Sequence, residues 1–189
     1  MLNGSGLRVV LWVAGCNHKC KGCHNPITWD ANCGLVFDEN AKQEIFAQLE
    51  ENYISGITLS GGDPLHENNL NEINAIIDEI REKYPNKTIW LYSGYTYEYL
   101  ENAISQEDIL RRDIVEKCDV FVDGPFILAK RDVKREWCGS TNQRVIEIDN
   151  DYYPTREPIY RRDGEMYLVE ITHVNNNTYR KKNFNEMPI

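Results

Sequence analysis

The residues with the clearest chemical potential are three cysteines, Cys16, Cys20 and Cys23, which lie close together near the start of the chain. Thiolates at the spacing Cys-x3-Cys-x2-Cys on one short loop can bind one face of an iron–sulfur cube. A four-iron cluster normally takes four cysteines. Three leave one iron with an open coordination position, and an open position distinguishes a catalytic metal site from a structural one. The spacing therefore predicts a cluster at which a substrate can bind the fourth iron directly.

Two other metal sites match part of the same segment. Cys20-Lys-Gly-Cys23-His24 has the spacing at which haem c is attached, but that attachment takes place on exported proteins. A structural zinc ion can take three thiolates and one imidazole, here from Cys16, Cys20, Cys23 and His24. Adjacent Cys23 and His24 would have difficulty reaching one tetrahedral ion. We therefore favour the iron–sulfur cluster and keep a zinc-binding interaction module as the alternative of another class.

The surroundings of the cysteines indicate a reducing compartment. The segment Val13-Ala14-Gly15-Cys16 resembles a lipoprotein cleavage box, but a single positive charge, Arg8, and only about seven apolar residues precede it, which is weak for a secretory signal. The other cysteines, Cys33, Cys118 and Cys138, are scattered rather than spaced as a disulfide framework. We expect a cytoplasmic protein in which these three thiols are buried or incidental.

The composition narrows the range of partners. Lysine and arginine number 21 against 30 aspartates and glutamates, so the formal net charge is −9. Nucleic-acid binding requires a basic footprint, which this balance does not provide. The longest uncharged apolar run, from Val9 to Gly15, is far shorter than the roughly 20 residues of a membrane span. We predict neither nucleic acid nor membrane as a partner.

Strand and helix patterns alternate along the first 150 residues. Strands are predicted at 7–14, 54–60, 88–93, 118–123 and 144–148, and helices at 39–52, 69–84, 96–104 and 107–117. Such alternation favours parallel pairing with helical crossovers. About five strands are too few for a full eight-stranded barrel. We predict an α/β fold, a partial (β/α) barrel with about five mostly parallel strands and its ligands beyond their carboxyl ends.

The character of the sequence changes near residue 150. We assign residues 1–150 to one domain and 151–189 to a C-terminal extension. In the extension, Tyr160 to Val169 around Asp163-Gly164 has the pattern of a hairpin. The polar end of the chain predicts a mobile tail.

Further motifs follow the predicted strands. Gly61-Gly62-Asp63-Pro64 ends the second strand, and two adjacent glycines allow a ligand to approach the backbone closely. Ser93 and Asp123 end the next two strands. Because all these ends meet at one edge of a parallel sheet, we expect a single site there. His18 and His66 have no partner that the sequence reveals, and we assign them to loops or the surface.

The cysteine triplet resembles the signature of radical S-adenosylmethionine enzymes. More narrowly, the chain is similar to the family of activating proteins of anaerobic ribonucleoside-triphosphate reductases. The similar stretches, which together span roughly residues 3–148 in the family's order, are 3–8, 15–29, 59–65, 122–126 and 139–144.

The resemblance implies two cofactors, a [4Fe-4S] cluster on Cys16, Cys20 and Cys23 and S-adenosylmethionine at its open iron. It also implies which residues bind the second cofactor. The backbone at Gly61 and Gly62 would hold its ammonium group, and Asp63 would assist or brace that loop. The backbone around Gly22, Cys23 and His24 would line the adenine site. Ser93 and Asp123 would either contact the methionine or ribose portion or begin helices.

The activity implied by the resemblance is the activation of a glycyl-radical enzyme. One electron cleaves S-adenosylmethionine, and the 5′-deoxyadenosyl radical removes hydrogen from one glycine of the anaerobic ribonucleoside-triphosphate reductase. A flavodoxin-type donor would reduce the cluster. Cys23-His24-Asn25 fits an activating enzyme of pyruvate formate-lyase as well, which stays open as the alternative within the same class.

Overall fold

The computed structural model describes residues 3–148 and the backbone of three strands beyond them. Its described strands form one sheet in sequence order: β1 (Arg8–Val13), β2 (Gly56–Gly61), β3 (Thr88–Tyr92), β4 (Val120–Asp123), β5 (Arg144–Glu147), β6 (Ile159–Arg162), β7 (Glu165–Glu170) and β8 (Arg180–Asn183). The helices are α1 (Glu39–Leu49), α2 (Leu70–Lys83), α3 (Tyr97–Glu101) and α4 (Gln106–Glu116), with short 3-10 turns at Pro26–Trp29 and Leu128–Lys130.

The first four strands are parallel, and helices make the connections between them. Strand β5 instead runs antiparallel to β4. Because β4 and β5 are antiparallel, the connection between them starts and ends at the same end of the strands. This connection contains an antiparallel bridge of Arg131 with Ser140. An α/β fold with five mostly parallel strands is confirmed over residues 3–148, and it is consistent with a partial barrel.

The helices begin and pack as their sequences predict. The Asp38 carboxylate accepts a hydrogen bond from the Ala41 N–H at 2.9 Å and caps α1. Helix α2 buries one apolar stripe at helical spacing, formed by Leu70, Ile73, Ile76, Ile77 and Ile80. Both helices therefore cover the sheet with the faces expected from the periodicity.

The two faces of the sheet carry different side chains. In β3, Ile89 and Leu91 join the aliphatic core beneath the helices. Trp90 lies on the opposite face, where it packs with Val122 and Trp137 in a smaller aromatic cluster. This division follows from the alternation of side chains along a strand, and it leaves the face away from the helices available for the site.

The C-terminal extension is described only in part. Strands β6 and β7 pair antiparallel, with Tyr160 opposite Tyr167 in the register. The turn at 163–164 and most of the predicted mobile tail lie outside the described residues. Among the described residues, no helix has the length and apolarity needed to cross a membrane.

Gly56 shows how closely β2 and β3 approach each other. A Cβ atom at Gly56 would lie 1.9 Å from the carbonyl oxygen of Thr88. The backbone of the neighbouring strand could make room for it only by distorting the pairing of β2 with β3, which would destabilise the fold.

We predict that Gly56→Ala lowers the free energy of unfolding by about 3 kcal/mol, as overpacking at a rigid contact does. Urea unfolding followed by circular dichroism measures this change. Gly34→Ala is the matched control, since its Cβ would meet only the Ala14 methyl group at 3.2 Å. Equal stability of the two variants would contradict the close strand contact.

Candidate functional site

The loop that follows β1 brings the three cysteines to one cleft. The Gly15 N–H donates to the Thr28 carbonyl at 2.8 Å and fixes the start of the loop against the 3-10 turn. The Cys23 N–H donates to the Cys20 carbonyl at 3.0 Å and closes a tight turn. Cys16, Cys20 and Cys23 all line the cleft formed in this way, which we call the cysteine cleft.

Backbone N–H groups point at the three sulfur atoms. The Sγ of Cys23 accepts from the Asn25 N–H at 3.4 Å. Burial raises the pKa of the Cys16 and Cys20 thiols, and hydrogen bonds oppose this rise, from the backbone of His18 to Cys16 and from the backbone of Phe126 to Cys20. Such N–H donors stabilise thiolates that ligate iron and tune the potential of a cluster.

The three cysteines offer the donor set that an iron–sulfur cube requires. Among the described residues, no group of three or more His, Cys, Asp or Glu side chains lies close enough together to hold one metal ion. A structural zinc site requires all its ligands within about 2.3 Å of one centre. In an iron–sulfur cube each cysteine binds a different iron, so the sulfurs surround a larger object. The three thiols on one cleft, each with an N–H donor, therefore suit the cube.

Gly61 and Gly62 line the cysteine cleft, and they also let two segments of this chain touch. A Cβ at Gly61 would lie 2.5 Å from the backbone N and O of Val13, and one at Gly62 would lie 2.4 Å from the carbonyl oxygen of Gly15. The Gly62 N–H donates to the Val13 carbonyl at 2.7 Å. The absence of side chains here thus sets the distance between the glycine pair and the cysteine loop.

The carboxylate of Asp63 holds the loops around the cleft together. Its side chain is almost fully buried. One oxygen accepts from the Leu65 N–H at 2.8 Å. The other accepts from the Ser93 hydroxyl and the Gly94 N–H, both at 3.0 Å, and lies 2.8 Å from the Nε2 of His18. Asp63 therefore joins the ends of β2 and β3 to the cysteine loop.

The remaining predicted site residues divide into two groups. Ser93 and His24 line the cysteine cleft. Asp123 does not: it is fully buried behind the cleft, where its carboxylate binds the Arg144 guanidinium and accepts from the Tyr97 N–H at 2.9 Å. The position of Asp123 therefore assigns it a bracing contact between β4, β5 and the start of α3.

Two histidines have roles that the sequence analysis missed. His18, assigned to a loop without a partner, bonds to Asp63 and packs edge-on against the Tyr95 ring at 4.8 Å. His66, assigned to the surface or a loop, is buried and lies beneath Gly15. Both lie in loops, as assigned, but His66 is buried and does not lie at the surface. The contacts of His18 with Asp63 and of His66 with Gly15 join residues 45 or more positions apart, so no local pattern signals them. His66 also has local partners in Glu67 and Asn68.

A second cavity adjoins the cysteine cleft. It has a volume of about 740 Å³, and Gly22, Trp12 and Cys138 are among its lining residues. We call it the side groove. The groove and the cleft share His24, Phe126, Trp137 and Gly139. A molecule in the groove would therefore reach the cysteine loop directly.

Comparison with known proteins identifies the family. The family model described as a 4Fe-4S single cluster domain matches residues 2–146. An anaerobic ribonucleoside-triphosphate reductase-activating protein of Enterobacteria phage T4 is 40% identical over 144 residues, which cover 76% of this chain and 86% of the relative. Proteins of the same name from Pasteurella multocida (strain Pm70) and Escherichia coli (strain K12) are each 39% identical over 150 residues; these cover 78% of this chain and 92% or 93% of the relative, respectively.

No solved structure matches the chain significantly. The family model covers the segment that carries the cysteine triplet, the glycine pair, strands β1 to β4 and most of β5. The resemblance stated from the sequence motifs is therefore confirmed: the chain belongs to the family of anaerobic ribonucleoside-triphosphate reductase-activating proteins, with a 4Fe-4S single cluster domain.

Proposed function

We propose that this protein activates an anaerobic ribonucleoside-triphosphate reductase by forming a glycyl radical on it, with S-adenosylmethionine bound at a [4Fe-4S] cluster. The observation that carries the proposal is the convergence of Cys16, Cys20 and Cys23 with the Gly61-Gly62 pair on one cleft. The names of the relatives support the choice of partner. The protein would thus be a radical S-adenosylmethionine enzyme with a partial barrel of that type.

The cofactors supply the difficult chemistry. Held by the three cysteines and the Gly61-Gly62 backbone, the cluster and S-adenosylmethionine would together supply a one-electron reductive cleavage to methionine, with transfer of one hydrogen atom from a glycine α-carbon of the reductase to the 5′-deoxyadenosyl group. The electron comes from an external donor of the flavodoxin type. The chain's free cysteines, which include all three cluster ligands, suit a reducing cytoplasm.

The protein's contribution is to bind and orient the two cofactors. Three thiolates leave one position open for the amino-acid end of S-adenosylmethionine. The Gly61 and Gly62 backbone, held against the cysteine loop by its own hydrogen bonds, would receive the ammonium group. The backbone at Gly22 and His24 would line the adenine site. Asp63 keeps these segments in register without itself lining the cleft.

We predict that replacing Cys16, Cys20 or Cys23 with alanine abolishes the cluster, because the site has no spare ligand. Iron and sulfide analysis of anaerobically reconstituted protein measures this loss. The matched controls are alanine variants of Cys33, which is exposed, and of Cys118 and Cys138, which are buried; none of the three lines the cysteine cleft. Loss of the cluster in Cys33→Ala would overturn the three-ligand site, and zinc in place of iron would support the interaction module.

We predict that Asp63→Asn weakens S-adenosylmethionine binding at least about tenfold, since a charge-assisted hydrogen bond contributes about 1.5–3 kcal/mol. The amide has one acceptor oxygen, so its NH2 group would face either the Leu65 N–H or the donors His18, Ser93 and Gly94, and the glycine pair and the cysteine loop lose their register. Equilibrium titration of the cluster-loaded protein measures the affinity. Glu67→Gln is the control, because Glu67 bonds to Asn17 of the same loop from an exposed position. Equal affinities of the two variants would contradict the role of Asp63.

The radical transfer itself has a direct test. Reduced protein, S-adenosylmethionine and a reductase deuterated at its glycine α-carbons should yield deuterium in 5′-deoxyadenosine and a glycyl-radical signal by electron paramagnetic resonance. A radical formed together with deuterium-free 5′-deoxyadenosine would contradict direct abstraction. Pyruvate formate-lyase serves as the parallel substrate, and a radical on it alone would favour the other activating activity.

A further inference from the structure

Strand β1 has a free edge in the described part of the chain. It lies at one end of the sheet and pairs with β2 alone. The Val13 carbonyl faces β2, where it accepts from the Gly62 N–H. Because successive residues of a strand direct their N–H and C=O groups to opposite sides, those of Val10 and Trp12 face outward. No described residue forms a hydrogen bond with them.

In the described part of the chain, the free edge carries neither a proline nor an outward charge that would block pairing. Edge strands are commonly blocked by charges, proline or bulges, but the run from Val9 to Val13 is entirely apolar. The one charge of β1, on Arg8, is turned away, since its guanidinium donates to the hydroxyls of Thr58 at 2.9 Å and Thr88 at 2.8 Å. The edge is therefore a ready template for another extended strand.

The free edge leads directly to the cysteine cleft. Trp12 is 46% exposed and lines the side groove. Its ring lies 6.3 Å from that of His24 in an edge-on arrangement, and His24 borders both the groove and the cleft. An extended segment paired with β1 would thus run along the groove and end beside the cysteine loop.

We propose that the free edge of β1 is the docking site for the glycine-bearing segment of the reductase, which adds to the sheet as an extended strand. The inference rests on the proposed function. A glycine offers no side chain to hold, so recognition through main-chain hydrogen bonds suits it. The alternate side chains of the docked segment enter the groove and contact Trp12 and Trp137. The groove's continuity with the cleft selects this occupant over a second copy of the chain.

The first test removes one outward N–H from the enzyme. Val10→Pro deletes that donor, and a proline is tolerated at an edge where the N–H faces away from the sheet. Val10→Ala is the matched control, because it shortens the side chain but keeps the N–H. We expect the dissociation constant for the reductase to rise at least tenfold in Val10→Pro and less than twofold in Val10→Ala. Circular dichroism and the iron content report whether each variant is folded and loaded.

The second test modifies a synthetic peptide that spans the reductase's glycine, and it leaves the enzyme intact. Two peptides carry N-methyl groups on alternate residues, in the two possible phases. If the peptide pairs with β1 through one of its edges, the peptide whose methyl groups face β1 should not bind, as measured by fluorescence anisotropy. The peptide whose methyl groups face away should bind like the unmodified peptide. This test decides the question if Val10→Pro fails to fold. Equal binding of both phases would overturn the proposal.

Hydrogen exchange distinguishes the other occupants of the edge. The amides of Val10 and Trp12 should exchange fast in the free protein and become protected when the reductase is added. Protection in the isolated monomer would mean that the chain covers its own edge, and protection that depends on protein concentration would mean that two copies pair there. Either result would overturn the proposal.

A folded Val10→Pro protein that forms the glycyl radical at full yield would refute the docking site alone, whereas no radical with the unmodified protein would refute the proposed function.

Discussion

The buried carboxylate of Asp63 is the interaction on which the geometry of the site depends. A charge removed from water is tolerated only when hydrogen bonds replace its hydration, and this one collects them from three separate segments. His18 comes from the cysteine loop, Ser93 and Gly94 come from the end of β3, and Leu65 follows the glycine pair. Because all donors converge on one group, the segments cannot shift independently. The distance between the cysteine loop and the Gly61-Gly62 pair is thereby fixed.

The parallel sheet explains why these segments meet at all. Strands β1 to β4 run in the same direction, so the loops that follow them all lie beyond the carboxyl ends of the strands. The glycine pair then lets the cysteine loop approach β2 to hydrogen-bond distance, as the contact of the Asp63 N–H with the Gly15 carbonyl at 2.7 Å shows. Asp123 braces the other side through Arg144 of the antiparallel strand β5. Local backbone geometry and the sheet topology thus produce the site together.

The sequence predicts those features that repeat locally or carry strong chemistry. The sequence patterns of α2 and β3 predicted the first and last residues of these elements to within one residue. The spacing of the cysteines indicated the loop proposed to bind the cluster. The contacts of His18 could not be predicted, because Asp63 is far along the chain and becomes a neighbour only when β1 pairs with β2. The same holds for Gly62, which the sequence suggests as space for a ligand, although its Cβ would first meet the backbone of Gly15.

A docking site on a sheet edge also accounts for the kind of association that an activating enzyme needs. One activation serves many turnovers of the reductase, so the complex must dissociate after hydrogen transfer. The outward groups of Val10 and Trp12 offer only a few hydrogen bonds, each with a net contribution of about 0.5–1.5 kcal/mol, and ordering the docked segment offsets part of that gain. The affinity of the protein for the reductase therefore stays modest, while the register of strand pairing determines which residue of the docked segment reaches the cysteine cleft. Glycine is selected at that position because its α-carbon alone carries no side chain between the backbone and the cysteine cleft.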